Sequence, residues 1–219
     1  MEGTLKNNTS KQLLWIGMIG ITMFFAGLTS AVIVRRADRG WESIIMPQWF
    51  WYSTFAIVLS SITLMIAKRQ VKKGISPTFY IVSSLILGLL FSCFQIMGWG
   101  QLVSDGIFLT GEKSHPAGSF LYVITLAHLI HVLGGLISLL VTTIKSAQVK
   151  YTKKDYLGIE LTSIYWHFLD VLWLYLFVFL LYLSLIIDST SRTLNLRDII
   201  SSRIHIITSI SLILLNALA

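Results

Sequence analysis

The sequence predicts an all-α protein, a polytopic bundle of five membrane-spanning helices, on three observations. Of its 219 residues, 55% are hydrophobic and only 12% charged, and the mean hydropathy is +0.76, outside the range of soluble globular domains. Five apolar stretches long enough to cross a bilayer alternate with short polar connections, many of them basic. The ionisable residues inside those stretches recur at helical spacing, so they share helix faces. A net charge of +7 raises nucleic acid as a partner, but the basic residues sit between apolar spans, where topology accounts for them. No nucleic-acid partner is expected. The lone Cys93 lies inside an apolar stretch, forms no internal disulfide and reads as a packing residue.

Met1 to Lys11 is polar, and Gln12 to Val34 is apolar. That stretch is too long for a signal-peptide core and is followed by Arg35 and Arg36 rather than a small-residue cleavage site, so a retained first helix is expected. Gly17, Gly20 and Gly27 within it permit close packing. A loop at 35–47 leads to a second helix, Gln48 to Ala67, entered through the aromatic belt Trp49, Phe50, Trp51 and Tyr52 and closed by a basic turn at Lys68, Arg69, Lys72 and Lys73. The third helix is expected from about Pro77 to Val103. After a loop with Asp105, Glu112, Lys113 and His115, the fourth runs from about Gly118 to Ile144. In the fourth, His128, His131, Gly135, Ser138 and Thr142 make one stripe of polar and small residues at three- and four-residue steps. Lys145, Lys150, Lys153 and Lys154 mark the next loop.

The fifth run, Ile159 to Ile187, is roughly 43 Å long as a helix, more than the ~30 Å hydrocarbon layer. It carries Glu160, His167 and Asp170, with Ser163 between, on one face, and Trp166 and Trp173 on a neighbouring one. Ionisable groups in hydrocarbon are tolerated mainly against protein partners or water. The organisation is therefore a polar N-terminal segment at 1–12, a five-helix body at 13–187 and a tail at 188–219. In the tail, 204–219 is apolar but only about 24 Å long as a helix, which favours an interfacial or partner-docked segment over a sixth span. With five spans, the N-terminus, the 68–77 turn and the 145–158 loop share one side and hold ten of the seventeen Lys and Arg. That side is expected to be cytoplasmic.

Three histidines in one bundle invite a bis-histidine haem or a copper or zinc site. Span midpoints place His131 near the bilayer middle, His128 about 4 Å outward and His167 about 10 Å inward, which disfavours convergence on one ion and favours interhelical hydrogen bonding. Glu160 and Asp170 read either as a buried hydrogen-bonded pair or as parts of a proton relay. Nothing supplies a water-filled cleft, an activated nucleophile or a phosphate-cradling loop, so no catalytic site is expected in the chain.

At these same residues the chain resembles subunit III of the haem-copper terminal oxidases, the cytochrome c oxidase subunit III family. Tyr165-Trp166-His167-Phe168-Leu169-Asp170-Val171-Leu172-Trp173 is similar to that family's signature on its last helix, with Glu160 upstream as the family places a glutamate. His128-Leu129-Ile130-His131-Val132 with Gly135 matches the preceding helix, and Gly118-Ser119-Phe120 and Phe94-Gln95 also fit. The resemblance covers residues 13–187 in the short five-helix bacterial form. It implies a lipid-holding cleft with bound phospholipid, docking on oxidase subunit I beside subunit II, and a place in the respiratory chain in a bacterial inner membrane. It also implies a non-catalytic role supporting proton uptake and turnover stability of a proton-pumping oxidase, with haem and copper in the partner subunits and no cofactor or metal here. His128, His131, Gly135, Glu160, Trp166, His167, Asp170 and Trp173 are then structural or lipid-cleft residues. The same subunit of a quinol oxidase is the neighbouring alternative, and a bis-histidine membrane cytochrome the alternative of another class. Attachment to a larger respiratory supercomplex is a further expectation for the tail.

Two departures qualify the resemblance. The family usually has a glutamate in the first helix of this core, before two aromatics, whereas Ile21-Thr22-Met23 precede Phe24-Phe25 here and no acid lies between Gln12 and Val34. A family glutamate of the third helix is also replaced, because Gln95 is followed by Ile96, Met97, Gly98 and Trp99.

Overall fold

A computed structural model describes residues 2–36, 46–111, 114–148 and 156–184. These form α1 (Glu2–Arg36), α2 (Gln48–Lys73), α3 (Thr78–Ser104), α4 (Pro116–Ala147) and α5 (Leu157–Ser184), with no strand among the described residues. The expected tail at 188–219 and the loop lysines Lys113, Lys150, Lys153 and Lys154 lie outside them. All five helices are long and apolar enough to cross a membrane.

Helix ends follow local chemistry. Pro47 and Pro77 stand immediately before α2 and α3, and Pro116 is the first residue of α4, where a missing N–H costs nothing. α2 ends at Gly74, whose φ of 79° is the left-handed conformation that glycine adopts freely; its N–H and that of Ile75 close on the last carbonyls of the helix. Gly106 (φ 81°) plays the same part after α3. A basic turn is expected from Lys68 on, but α2 continues past Ala67 to Lys73. Lys72 and Lys73 in the last turn suit the negative end of the helix dipole, and long basic side chains reach out of the hydrocarbon while the backbone stays helical. α1 likewise extends ten residues ahead of its apolar stretch, starting at Glu2 rather than Gln12.

The bundle is apolar outside and polar within. Phe55, Phe79, Met23, Ile137 and Val178 are among many large apolar side chains on its surface, while Ser53, Ser60, Ser61, Ser84, Gln95, Thr125, His128, Thr142, Ser163 and Asp170 are buried. In lipid no hydrophobic force drives helices together, so close packing and interhelical hydrogen bonds must. Cys93, expected as a packing residue, is exposed on α3. An apolar thiol has no reason to avoid lipid. α2 and α3 form an antiparallel pair, α4 and α5 close the core, and α1 lies on the edge, with 22% of its membrane window buried against 44% for α2, α4 and α5.

Candidate functional site

Trp166 and Trp173, two turns apart on α5, are the fixed points around which the other candidates are arranged. The Trp166 indole is 1% exposed and lies between Gly88 of α3 and Gly135 of α4. A Cβ on Gly88 would fall 2.7 Å from its ring, and one on Gly135 would fall 3.0 Å from the ring and 2.9 Å from Leu169. Its Nε1 donates to Ser60 Oγ of α2 at 3.1 Å. Ser60 donates in turn to the Ser84 carbonyl of α3 at 2.9 Å, and Ser84 Oγ pairs with Thr63 Oγ1 at 2.7 Å. One side chain thus joins four helices. Trp173 repeats the device: its Nε1 donates to Thr54 Oγ1 at 2.9 Å, and its ring meets Phe50, Phe91 and His128.

The histidines separate into three environments. His128, 1% exposed, stacks on Trp173 with ring centroids 5.2 Å apart and faces Phe25 and Phe91 edge-on. Neither of its ring nitrogens has a hydrogen-bond partner among the described residues, so ring contacts rather than the expected interhelical bond hold it. His131 donates from Nδ1 to the Ala127 carbonyl of its own helix at 2.7 Å and turns its ring to Phe24 and Phe25 of α1. His167 is hydrogen-bonded through Nδ1 to Ser61 Oγ of α2.

The contacts of His128 with Trp173 and of Gly135 with Trp166 fix the α4–α5 register. They put His167 within about one turn of His131 along the bundle, ~5 Å, roughly half the separation expected from span midpoints. The midpoint of an apolar run is not the level at which two helices cross. The three rings nevertheless face α5, α1 and α2 respectively. Among the described residues no three His, Cys, Asp or Glu side chains stand together as ligands for one metal ion.

The acidic stripe of α5 divides. Glu160 Oε2 is 2.8 Å from Lys11 Nζ of α1. Asp170 is buried instead, 7% exposed. Its Oδ1 has no partner among the described residues. Below them Ser138 and Thr142 of α4 both pair with Thr162 of α5, at 2.7 and 2.9 Å.

Where the family usually has a first-helix glutamate, the Thr22 hydroxyl returns to the Met18 carbonyl at 2.9 Å. It lines, with Phe25, Ala26, Phe168, Val171, Leu172 and Tyr175, an apolar hollow of about 370 Å³ between α1 and α5. A second hollow of about 590 Å³ continues along α5 past Val178 to Tyr182. None of the eight residues singled out from the sequence lines either hollow.

The serines and threonines of α2 and α3 are functional partners that sequence alone does not single out. Their signal was present: Ser53 and Ser60, and Thr54 and Ser61, are seven residues apart in an apolar helix, which is the spacing of a packed seam.

Fold and site together define a multi-pass membrane protein whose buried polar groups bind helix to helix. Comparison with known proteins then places it. The family described as cytochrome c oxidase subunit III matches residues 45–185. The chain is 31% identical to a probable cytochrome c oxidase subunit 3 of Nocardia farcinica, over 71% of this chain and 78% of that protein. It is 29% identical to the probable subunit 3 of Mycobacterium leprae over the same shares, and 29% identical to cytochrome c oxidase subunit 3 of Petromyzon marinus over 58% and 47%. The chain belongs to the cytochrome c oxidase subunit III family. It is therefore a subunit of a haem-copper oxidase and assembles with other subunits of that complex.

Proposed function

We propose that this chain is the non-catalytic subunit III of a proton-pumping cytochrome c oxidase, supporting proton uptake and turnover stability of subunit I. Residues 13–187 form the body that docks on subunit I beside subunit II, in a bacterial inner membrane with residues 1–12 cytoplasmic. Attachment to a larger respiratory supercomplex through the tail at 188–219, outside the described residues, belongs to the same reading. Haem and copper belong to the partner subunits. The observation that carries this reading is the use of the polar interior: Trp166, Trp173, His167, Glu160 and Thr162 are all engaged in contacts between helices, as in a scaffold. The hollow between α1 and α5 is apolar and continuous with the outer face. It suits phospholipid acyl chains, which supports a lipid-holding surface there, with the eight motif residues as structural or lipid-cleft residues of the same bundle.

Purification of the tagged chain from mild detergent tests the reading. Subunits I and II should co-purify with phospholipid, and subunit II should carry copper-ligating Cys and His residues. A subunit II without them makes the complex a quinol oxidase. A chain that comes alone with a haem spectrum contradicts the proposal in favour of a membrane cytochrome.

A further inference from the structure

One face of α5 carries an apolar hollow that, among the described residues, is lined by α5 alone. Val171, Leu174, Tyr175, Val178, Phe179 and Tyr182, at helical steps, border a space of about 590 Å³. Towards the N-terminal side it shares Val171 and Tyr175 with the hollow between α1 and α5, and Tyr175 is tied there to Thr29 of α1 at 3.1 Å. Towards the C-terminal end of α5, Val178 and Tyr182 are exposed, 61% and 59%. α5 is about 42 Å long, so roughly 6 Å overhangs a ~30 Å hydrocarbon layer at each end. Tyr182 then stands at the membrane surface, a level that tyrosine favours, with Val178 about 6 Å deeper.

We propose that residues 204–219 of this same chain seat on the C-terminal end of that α5 face, apolar side inward over Val178, Phe179 and Tyr182, and close the hollow from the surrounding lipid. The segment lies outside the described residues, and its sequence supplies the fit. It contains no Asp, Glu, Lys or Arg, so it can leave water without burying a charged side chain. As a helix it would turn Ile206, Ile210, Ile213 and Ala217 to one side and His205, Ser209 and Asn216 to the opposite one. A helix so divided lies in the membrane surface with its apolar side about 5–10 Å deep, the level of Val178. Arg192, Arg197, Asp198 and Arg203, in the stretch before it, keep to the water side.

Proximity selects this occupant over a second copy or another chain. α5 ends at Ser184, two residues beyond Tyr182, and residues 185–203 join it to Ile204. A tether of that length can reverse direction, and it holds the segment beside the hollow at roughly millimolar effective concentration. In lipid the gain is the packing of isoleucine side chains into the hollow, which a free copy would obtain only against the loss of its own translational freedom. The seat rests on the lipid-holding reading above only in sharing its hollow, and the contacts it requires are measured without reference to lipid or turnover.

The test is a disulfide scan of the intact oxidase complex in its membrane, in a chain carrying Cys93→Ala. Val178→Cys is combined in turn with Ile206→Cys, Ile210→Cys, Ile213→Cys and Ser209→Cys, the membranes are oxidised, and linked peptides are mapped by mass spectrometry. The expected result is a link within one chain from Val178→Cys to at least one of the three isoleucine positions and none to Ser209→Cys. Ile137→Cys, on an exposed face of α4, should link to none of them. Removal of 204–219 should raise the labelling of Val178→Cys by a lipid-soluble maleimide several-fold. Links that join two copies of the chain, links that do not distinguish Ser209→Cys from the isoleucine positions, or no link at all overturn the seat. Labelling of Val178→Cys that is the same with and without 204–219 overturns it as well. The phospholipid content of the purified complex judges the lipid-holding reading separately.

Discussion

Gly88 and Gly135 show how little room the fold leaves around one indole. A methyl on either would press on the Trp166 ring, which is wedged between two other helices and cannot retreat. Overpacking of this kind costs about 1–3 kcal/mol. Gly135→Ala and Gly88→Ala should each lower the thermal stability of the purified oxidase, whereas Gly100→Ala, with nothing within 4 Å of the added methyl, should leave it unchanged. Equal melting curves for all three would show that Trp166 is not the wedge described. The motif residues were legible one by one in the sequence because indole, imidazole and carboxylate are rare in hydrocarbon. Their partners were not. Ser60, Ser61 and Thr54 are common in membrane helices, and only the crossing of α2 with α5 makes them receivers for Trp166, His167 and Trp173. His128 was expected to hydrogen-bond and instead sits among aromatic rings, a choice that depends on where Phe25 and Phe91 arrive from other helices.

At the level of elements, α1 is held differently from the rest. It touches the bundle through Phe25 against α4 and α5, through the Thr29 to Tyr175 hydroxyl pair at 3.1 Å and through the Lys11–Glu160 ion pair. The ion pair is partly exposed, so its worth is about 0.2–1 kcal/mol and falls with salt. Glu160→Lys and Lys11→Glu should each make α1 more accessible to protease in detergent at low salt, and the double exchange should restore protection. Singles that match the wild type would mean that α1 docks through apolar contact alone. Helix existence was readable from apolar length, and the ends were readable to within a few residues except at α1 and α2, where polar and basic residues continue the helix beyond the hydrocarbon. Register was not readable. The levels of His131 and His167 came from the midpoints of apolar runs, and the observed contacts bring them about 5 Å closer.

For the whole molecule, the five spans fix which ends share a side, and the ten basic residues near the N-terminus, at the end of α2 and at and beyond the end of α4 favour the cytoplasm for that side. Gln148 and Asp105 are exposed at opposite ends of the bundle, whereas Ser146 is buried against Thr78 and would report poorly. In a chain with Cys93 replaced by Ala, a cysteine at Gln148 should resist an impermeant thiol reagent added to intact cells, and one at Asp105 should react. The reverse pattern would invert the topology. The central claim is that the chain stabilises an oxidase that does its chemistry elsewhere, and the time course of oxygen consumption tests it most directly. Oxidase stripped of this chain should start at nearly the intact rate and then lose activity faster during turnover. Full protection by this chain with Ile21 and Thr22 in place would show that packing and retained lipid, not a first-helix carboxylate, do the protecting. Parallel decay of intact and stripped enzyme would contradict the protective role, and immediate complete loss on stripping would contradict the claim that catalysis resides in the other subunits.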